Sequence, residues 1–312
     1  MSMVISAAGH GLWQALKRPG LVLLLWVWSL ALASLVAAPL WTWLLAMTAA
    51  SPEADRLLDG LSIFRIGELT HYDRSPVWAV LFSAFAVAIV FAAIGQALIA
   101  GGMLDVLWTD DRRRFLHRFA RGSGRFVGRF LRVTVWTAAI MVALGLLVSL
   151  PIGALTGWFE EAGWERAYYL GRLANLAVLL AIAVALTLAA DFARVRLVVD
   201  DSRGTLRATL GGVRLVAGHP FRVGGLWLLF AIATAAVAVA YLTVGAPLPV
   251  STPLAMLVVV LAQQAVLLAR AGLRVSLVAA EIRLFQRLRP APAPAVAAPA
   301  APPSGEVDAI VA

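Results

Sequence analysis

The 312-residue chain has no cysteine, four histidines (His10, His71, His117 and His219) and one lysine, Lys17, beside 25 arginines. Without cysteine it can form no disulfide, no thiolate metal site and no cysteine nucleophile. The histidines fall at no spacing that a zinc site uses, so no metal and no cofactor is expected. Catalytic signatures are missing too: there is no HExxH, no phosphate-binding GxxxxGK[ST] and no dense aspartate cluster of the kind that holds metal for lipid phosphoryl transfer. Gly122-Ser123-Gly124 lacks the G-x-S-x-G spacing of a nucleophile elbow. No catalytic residue is assigned.

What is abundant is apolar sequence. The chain is 62% hydrophobic with a mean hydropathy of +0.88, where a soluble domain carries about 45–50%. Six apolar runs, at residues 21–47, 77–104, 131–155, 174–195, 223–244 and 253–273, are each long enough for a bilayer, which takes roughly 20 helical residues. The fold class expected is an all-α membrane protein with six transmembrane helices. It divides into an N-terminal interfacial segment (1–20), a six-helix domain (21–289) and a Pro/Ala-rich tail (290–312) that buries too little to fold. Pro39 and Pro151 fall inside the first and third runs and are expected to kink them.

Charge sets the expected orientation. Of the 26 Lys and Arg, 21 lie in the N-terminal segment, the second and fourth gaps and the C-terminal end, each counted with the span margins it adjoins; the other gaps hold five. Those other gaps carry eight carboxylates, Glu53, Asp55, Asp59, Glu68, Asp73, Glu160, Glu161 and Glu165. The positive-inside rule puts both termini in the cytoplasm. The net charge of +9 follows this topology, so membrane lipids, anionic ones included, are the expected partners and nucleic acid is not. The arginine bias and abundant alanine suggest a GC-rich bacterial coding sequence, hence a bacterial inner membrane.

The basic gaps are patterned. Phe115, Phe119, Phe126 and Phe130 share one helix face, and Arg114, Arg118, Arg121, Arg125, Arg129 and Arg132 a neighbouring one. Such a helix is expected to lie flat at the headgroups, where each arginine gains about 1 kcal/mol against an anionic leaflet. Glycines Gly122, Gly124 and Gly128 weaken it in water. Leu206, Leu210, Val213 and Ala217 form a similar face behind a helix start at Asp201 or Ser202; Ile5, Ala8, Leu12 and Leu16 form another. Each stretch leads into an odd-numbered span. Pro19 precedes Trp26 by seven residues, Pro220 precedes Trp227 by seven, and Arg129 precedes Trp136 by seven. Gln96-Ala97-Leu98 matches Gln264-Ala265-Val266, and Asp110-Asp111 matches Asp200-Asp201. Three hairpins of one kind, each led by an interfacial elbow, are the expectation. The plainer reading makes the elbows ordinary surface connectors.

In the outer gaps, Ser51-Pro52-Glu53 reads as a helix start, and Leu57 to Leu69 is too apolar for a free loop. The stretch Trp158-Phe159-Glu160-Glu161-Ala162-Gly163-Trp164 reads as an aromatic belt, with a paired-carboxylate hydrolase site as the weaker option.

Ionisable residues within spans are functional candidates by default. Asp191 and Arg194 are three apart, and Arg270 and Arg274 share a face of the sixth span. A bridge from Asp191 to Arg270 or Arg274 locks spans four and six, or the surplus arginines hold an anionic headgroup. Gln96, Gln263 and Gln264 either make interhelical hydrogen bonds or line a polar path. No row of acids crosses the spans, which disfavours a proton-coupled pump.

The run from Asp191 through Ser202-Arg203-Gly204 to His219-Pro220, with Gly101-Gly102, Phe115 to Arg132, and Gln263-Gln264 through Glu281, resembles a group of bacterial six-span membrane proteins. It is similar to the membrane domain attached to some glycerophosphodiester phosphodiesterases. The resemblance covers about residues 10–288. It implies a membrane domain and no activity, since these residues include no counterpart of the phosphodiesterase domain. The expected role is non-enzymatic: a lipid-facing accessory or scaffold. A permease for a lipid-like or anionic solute is the first alternative, and a membrane-embedded lipid enzyme the second.

Overall fold

The computed structural model describes residues 2–49, 77–109, 115–201, 204–245 and 252–288. All the regular structure among them is helical. The elements are α1 (Ser2–Lys17), α2 (Pro19–Ala49), α3 (Val77–Thr109), α4 (Phe115–Glu161), α5 (Glu165–Val199), α6 (Thr205–Gly218), α7 (Pro220–Ala240) running on into a π-helical turn (Tyr241–Gly245), and α8 (Pro253–Leu288). Six of these, α2, α3, α4, α5, α7 and α8, are long and apolar enough to cross a membrane. Five of the expected spans each lie within one of them, and the fifth in chain order, 223–244, runs from α7 into the π-helical turn. The outer segment around Ser51 and Leu57 to Leu69, Asp110 to Arg114, Ser202-Arg203 and the tail lie outside the described residues.

Two of the three expected elbows are true breaks, and proline makes them. Pro19 opens α2 directly after α1, and Pro220 opens α7 directly after α6; a proline at the first helical position lacks an N–H that the helix would leave unbonded anyway. The middle elbow is a correction. Phe115 to Arg132 is the first part of a single helix that runs unbroken to Glu161. At 1.5 Å per residue, α4 is roughly 70 Å long, more than twice a hydrocarbon core of about 30 Å. No proline stands between Phe115 and Pro151 to interrupt its ladder. Its aromatic face is not turned to headgroups either: Phe126 and Phe130 are 2% and 0% exposed, in the main core. Pro39 and Pro151 lie inside α2 and α4, and both helices continue past them.

The core sits at one end of the bundle. Buried side chains concentrate in 97–106 of α3, 122–133 of α4, 186–198 of α5 and 271–285 of α8, with α1 and α6 packed among them. Towards the other end the apolar side chains face outward, as at Leu147, Leu150, Leu170 and Leu254. This is the pattern of a protein whose other solvent is hydrocarbon, since lipid tails are as apolar as leucine and give no hydrophobic drive between helices.

Close helix approach at the packed end depends on glycine. A side chain at Gly11 of α1 would strike the Ser276 carbonyl and the Ala280 side chain of α8. One at Gly122 of α4 would strike the Gly101 carbonyl and Asp105 of α3, and one at Gly212 of α6 the Ala189 carbonyl and the backbone of Ala193 in α5. In all three, a glycine sits over a carbonyl and the residue one turn later.

At the far end, α4 stops in a Schellman motif: Trp164 N–H donates to the Phe159 carbonyl and Gly163 N–H to the Glu160 carbonyl, with Gly163 at φ +72°. Only a residue without Cβ adopts that conformation freely. The turn gathers Trp158, Phe159 and Trp164, ring centroids 5.5–5.9 Å apart, which fits the belt reading.

Candidate functional site

Three helices bring a polar cluster into the packed end. Asp191 of α5 is 6% exposed. Arg194, one turn on, donates from Nη1 to Asp191 Oδ1 at 2.7 Å, and Arg274 of α8 donates from Nη2 to Oδ2 at 3.3 Å. Arg194 Nη2 also donates to the Thr134 hydroxyl of α4 at 3.1 Å, and that hydroxyl donates to the Phe130 carbonyl at 3.0 Å. A carboxylate bonded through both oxygens to guanidinium groups is the arrangement that makes a buried charge tolerable. The expected bridge between spans four and six is thus present, and it uses Arg274. Arg270 is exposed, with no ion pair or hydrogen bond among the described residues.

Sequence reading missed two members. Thr134 gave no signal beyond being a hydroxyl in an apolar run. Glu281 gave one, lying seven residues after Arg274 and so on the same helix face. It is 2% exposed, within electrostatic reach of Asp191, Arg274 and Arg194. Its Oε1 makes no hydrogen bond, and neither does Arg194 Nε.

The glutamines separate. Gln264 accepts from Trp26 Nε1 at 3.0 Å, tying α8 to α2, and Gln263 donates to the Tyr241 hydroxyl at 3.0 Å. Gln96 is exposed and makes no hydrogen bond among the described residues.

The arginines of α4 also divide. Arg125 and Arg129 donate to Asp201 at 2.6 and 3.0 Å, and both guanidiniums lie over the Phe126 ring. Arg118 is partly buried, Arg121 and Arg132 are exposed, and Arg114 is outside the described residues. Asp201 therefore does not cap α6, whose N-cap is Gly204 with no side-chain bond; Ser202 falls outside the described residues. Asp201 has φ +43°, a left-handed conformation that aspartate tolerates better than most residues. The hydrogen bond from Arg129 holds its carboxyl below the usual carboxylate range, with the charges of Arg125 and Arg129 adding to the effect against some desolvation. Between α1 and α2, the buried Arg18 donates to the Val106 carbonyl near the end of α3, a group in the last turn that the helix itself cannot satisfy.

Two cavities adjoin at the α1–α2 junction. An apolar groove of about 780 Å³ lies between α1, α2, α7 and α8. A smaller cavity of about 240 Å³, lined in part by Lys17 and Arg18, shares Pro19 with it. Neither reaches Gln96, Gln264 or Asp191. Among the described residues, no three His, Asp or Glu side chains are grouped to hold a metal. Comparison with known protein families, curated proteins and solved structures finds no match to this chain.

Proposed function

We propose that the protein is a non-enzymatic, lipid-facing accessory or scaffold protein of a bacterial inner membrane, with both termini cytoplasmic. The observation that carries this reading is how the polar groups are used. Asp191, Arg194 and Arg274 are engaged with one another, Gln264 with Trp26, and Arg125 and Arg129 with Asp201. Exposed guanidiniums remain around the packed end, at Arg121, Arg132, Arg207, Arg214, Arg222, Arg270 and Arg283. A ring of exposed cations at the margin of an apolar bundle suits anionic headgroups, at about 1 kcal/mol for each near-surface arginine. Transport is the weaker reading, because Gln264 is bonded and Gln96 faces outward, away from any common path. The similarity to the membrane domain attached to some glycerophosphodiester phosphodiesterases belongs to this proposal.

The same proposal includes the three-hairpin repeat. Gly11, Gly122 and Gly212 stand eight residues before Pro19, Phe130 and Pro220, and 15, 14 and 15 residues before Trp26, Trp136 and Trp227. Each sits over the end of an even-numbered span: Gly122 over α3, Gly212 over α5, and Gly11 over α8. The first copy therefore rests on the last, and the three units close into a ring. This register does not align Gln96 with Gln264. It pairs Gly101 with Ser276, which puts the glutamines seven residues apart.

The experiment is lipid analysis of detergent-purified wild type and an Arg121→Gln/Arg132→Gln/Arg270→Ala variant from the same membranes. Enrichment of anionic over zwitterionic phospholipid in wild type, falling severalfold in the variant, is the expected result. No enrichment in wild type would sink the reading.

A further inference from the structure

We propose that the groove between α1, α2, α7 and α8 is a binding site for one anionic phospholipid, with an acyl chain in the groove and the phosphate against Lys17. This deepens the lipid-facing reading above and rests on it.

The groove walls are apolar on every side: Leu12 and Leu16 of α1, Val22 and Leu23 of α2, Val237 of α7 and Leu268 of α8. Ser276 is the one polar side chain in the lining, and its hydroxyl already donates to the Gly272 carbonyl at 2.8 Å. A polar solute would find nothing there to replace its lost water. A hydrocarbon chain needs no partner, and the volume of about 780 Å³ falls in the range of roughly 300–1,000 Å³ that holds small ligands. Leu12, Leu16 and Leu23 are 45%, 76% and 51% exposed, so the groove opens sideways, where a chain enters from the bilayer without crossing water.

Charge selects the occupant's other end. At Pro19 the groove meets the small cavity lined by Lys17 and Arg18. Arg18 is turned inward to Val106. Lys17 is exposed, and its ammonium lies 4.6 Å from the centroid of the Trp13 ring. Trp13 is 56% exposed. A tryptophan with a lysine beside it marks headgroup depth in a bilayer. An apolar channel ending in a cation at that depth matches one phospholipid, chain and head.

Glycine offers a clean test. A Cβ added at Gly272 meets nothing within 4 Å, and Gly272 lines the groove, so Gly272→Phe puts a ring into it from α8. Ala233→Phe fills it from α7, and agreement of the two guards against a folding defect in either. Lys17→Gln removes the cation alone. The measurement is native mass spectrometry of each protein equilibrated with an equal mixture of phosphatidylglycerol and phosphatidylcholine in detergent. Wild type should carry one tightly held phosphatidylglycerol. Both phenylalanine variants should lose it, by about tenfold or more in occupancy given the many methylenes displaced, and Lys17→Gln should lose the preference for phosphatidylglycerol. The exposed arginines are intact in all three variants, so overall anionic enrichment should survive. Retention of the lipid in the phenylalanine variants, unchanged preference in Lys17→Gln, or a second copy of the chain bound in place of lipid overturns the site. Loss of enrichment in wild type itself overturns the broader reading instead.

Discussion

At the residue scale, Asp191 carries the largest stake. It is buried and bonded to two guanidiniums from two helices, so removing its charge strands both. Asp191→Asn should cost about 3 kcal/mol or more, read as a lowered thermal unfolding midpoint in detergent. Glu281→Gln should cost less, because Glu281 Oε1 has no hydrogen bond to lose; equal losses would mean that the two carboxylates share the load. Asp201 makes a pH-dependent contact. Its folded-state carboxyl titrates below the unfolded value because Arg129 bonds it. Its contribution is therefore present above the ordinary aspartate range and is lost as pH falls through the depressed folded value. Hydrogen-exchange protection at the α5–α6 junction, taken relative to the intrinsic rate at each pH, should fall at acid pH in wild type, and Asp201→Asn should be weakly protected at every pH.

At the scale of elements, the glycine crossings separate helices that are docked from helices that merely adjoin. Gly122 is over the Gly101 carbonyl, while Gly124, two residues on, has open space at its Cβ position. Gly122→Ala should destabilise by about 1–3 kcal/mol, the usual cost of overpacking, while Gly124→Ala should stabilise by about 0.5–1 kcal/mol through helix propensity. Thermal unfolding of the two variants side by side decides it, and equal shifts would remove the crossing as a determinant. Which glycine is which could not be read from Gly122, Gly124 and Gly128 as a string. All three interrupt the same amphipathic helix, and only the position of α3 tells them apart.

At the scale of the whole molecule, the distribution of arginines predicts the orientation. A chain without cysteine suits single-cysteine labelling. Gly204→Cys should react with an impermeant thiol reagent only in inverted vesicles, and Glu161→Cys only in right-side-out ones. The opposite pattern would reverse the topology.

The sequence by itself determined the six long apolar helices, their places along the chain and the pairing of Asp191 with an arginine of the last span. Length, hydropathy and helix-face spacing are properties of a continuous segment, so they survive without knowledge of any neighbour. Only the tertiary structure decided which arginine closes that pair, that Phe126 and Phe130 face protein, that α4 runs on without a break, and that Glu281 joins the cluster. Those outcomes depend on what lies across from each helix face. Periodicity says that a face is apolar or charged, but lipid and a neighbouring helix ask for the same residues. The groove beside Lys17 is a property of four helices together, and no one segment carries its outline.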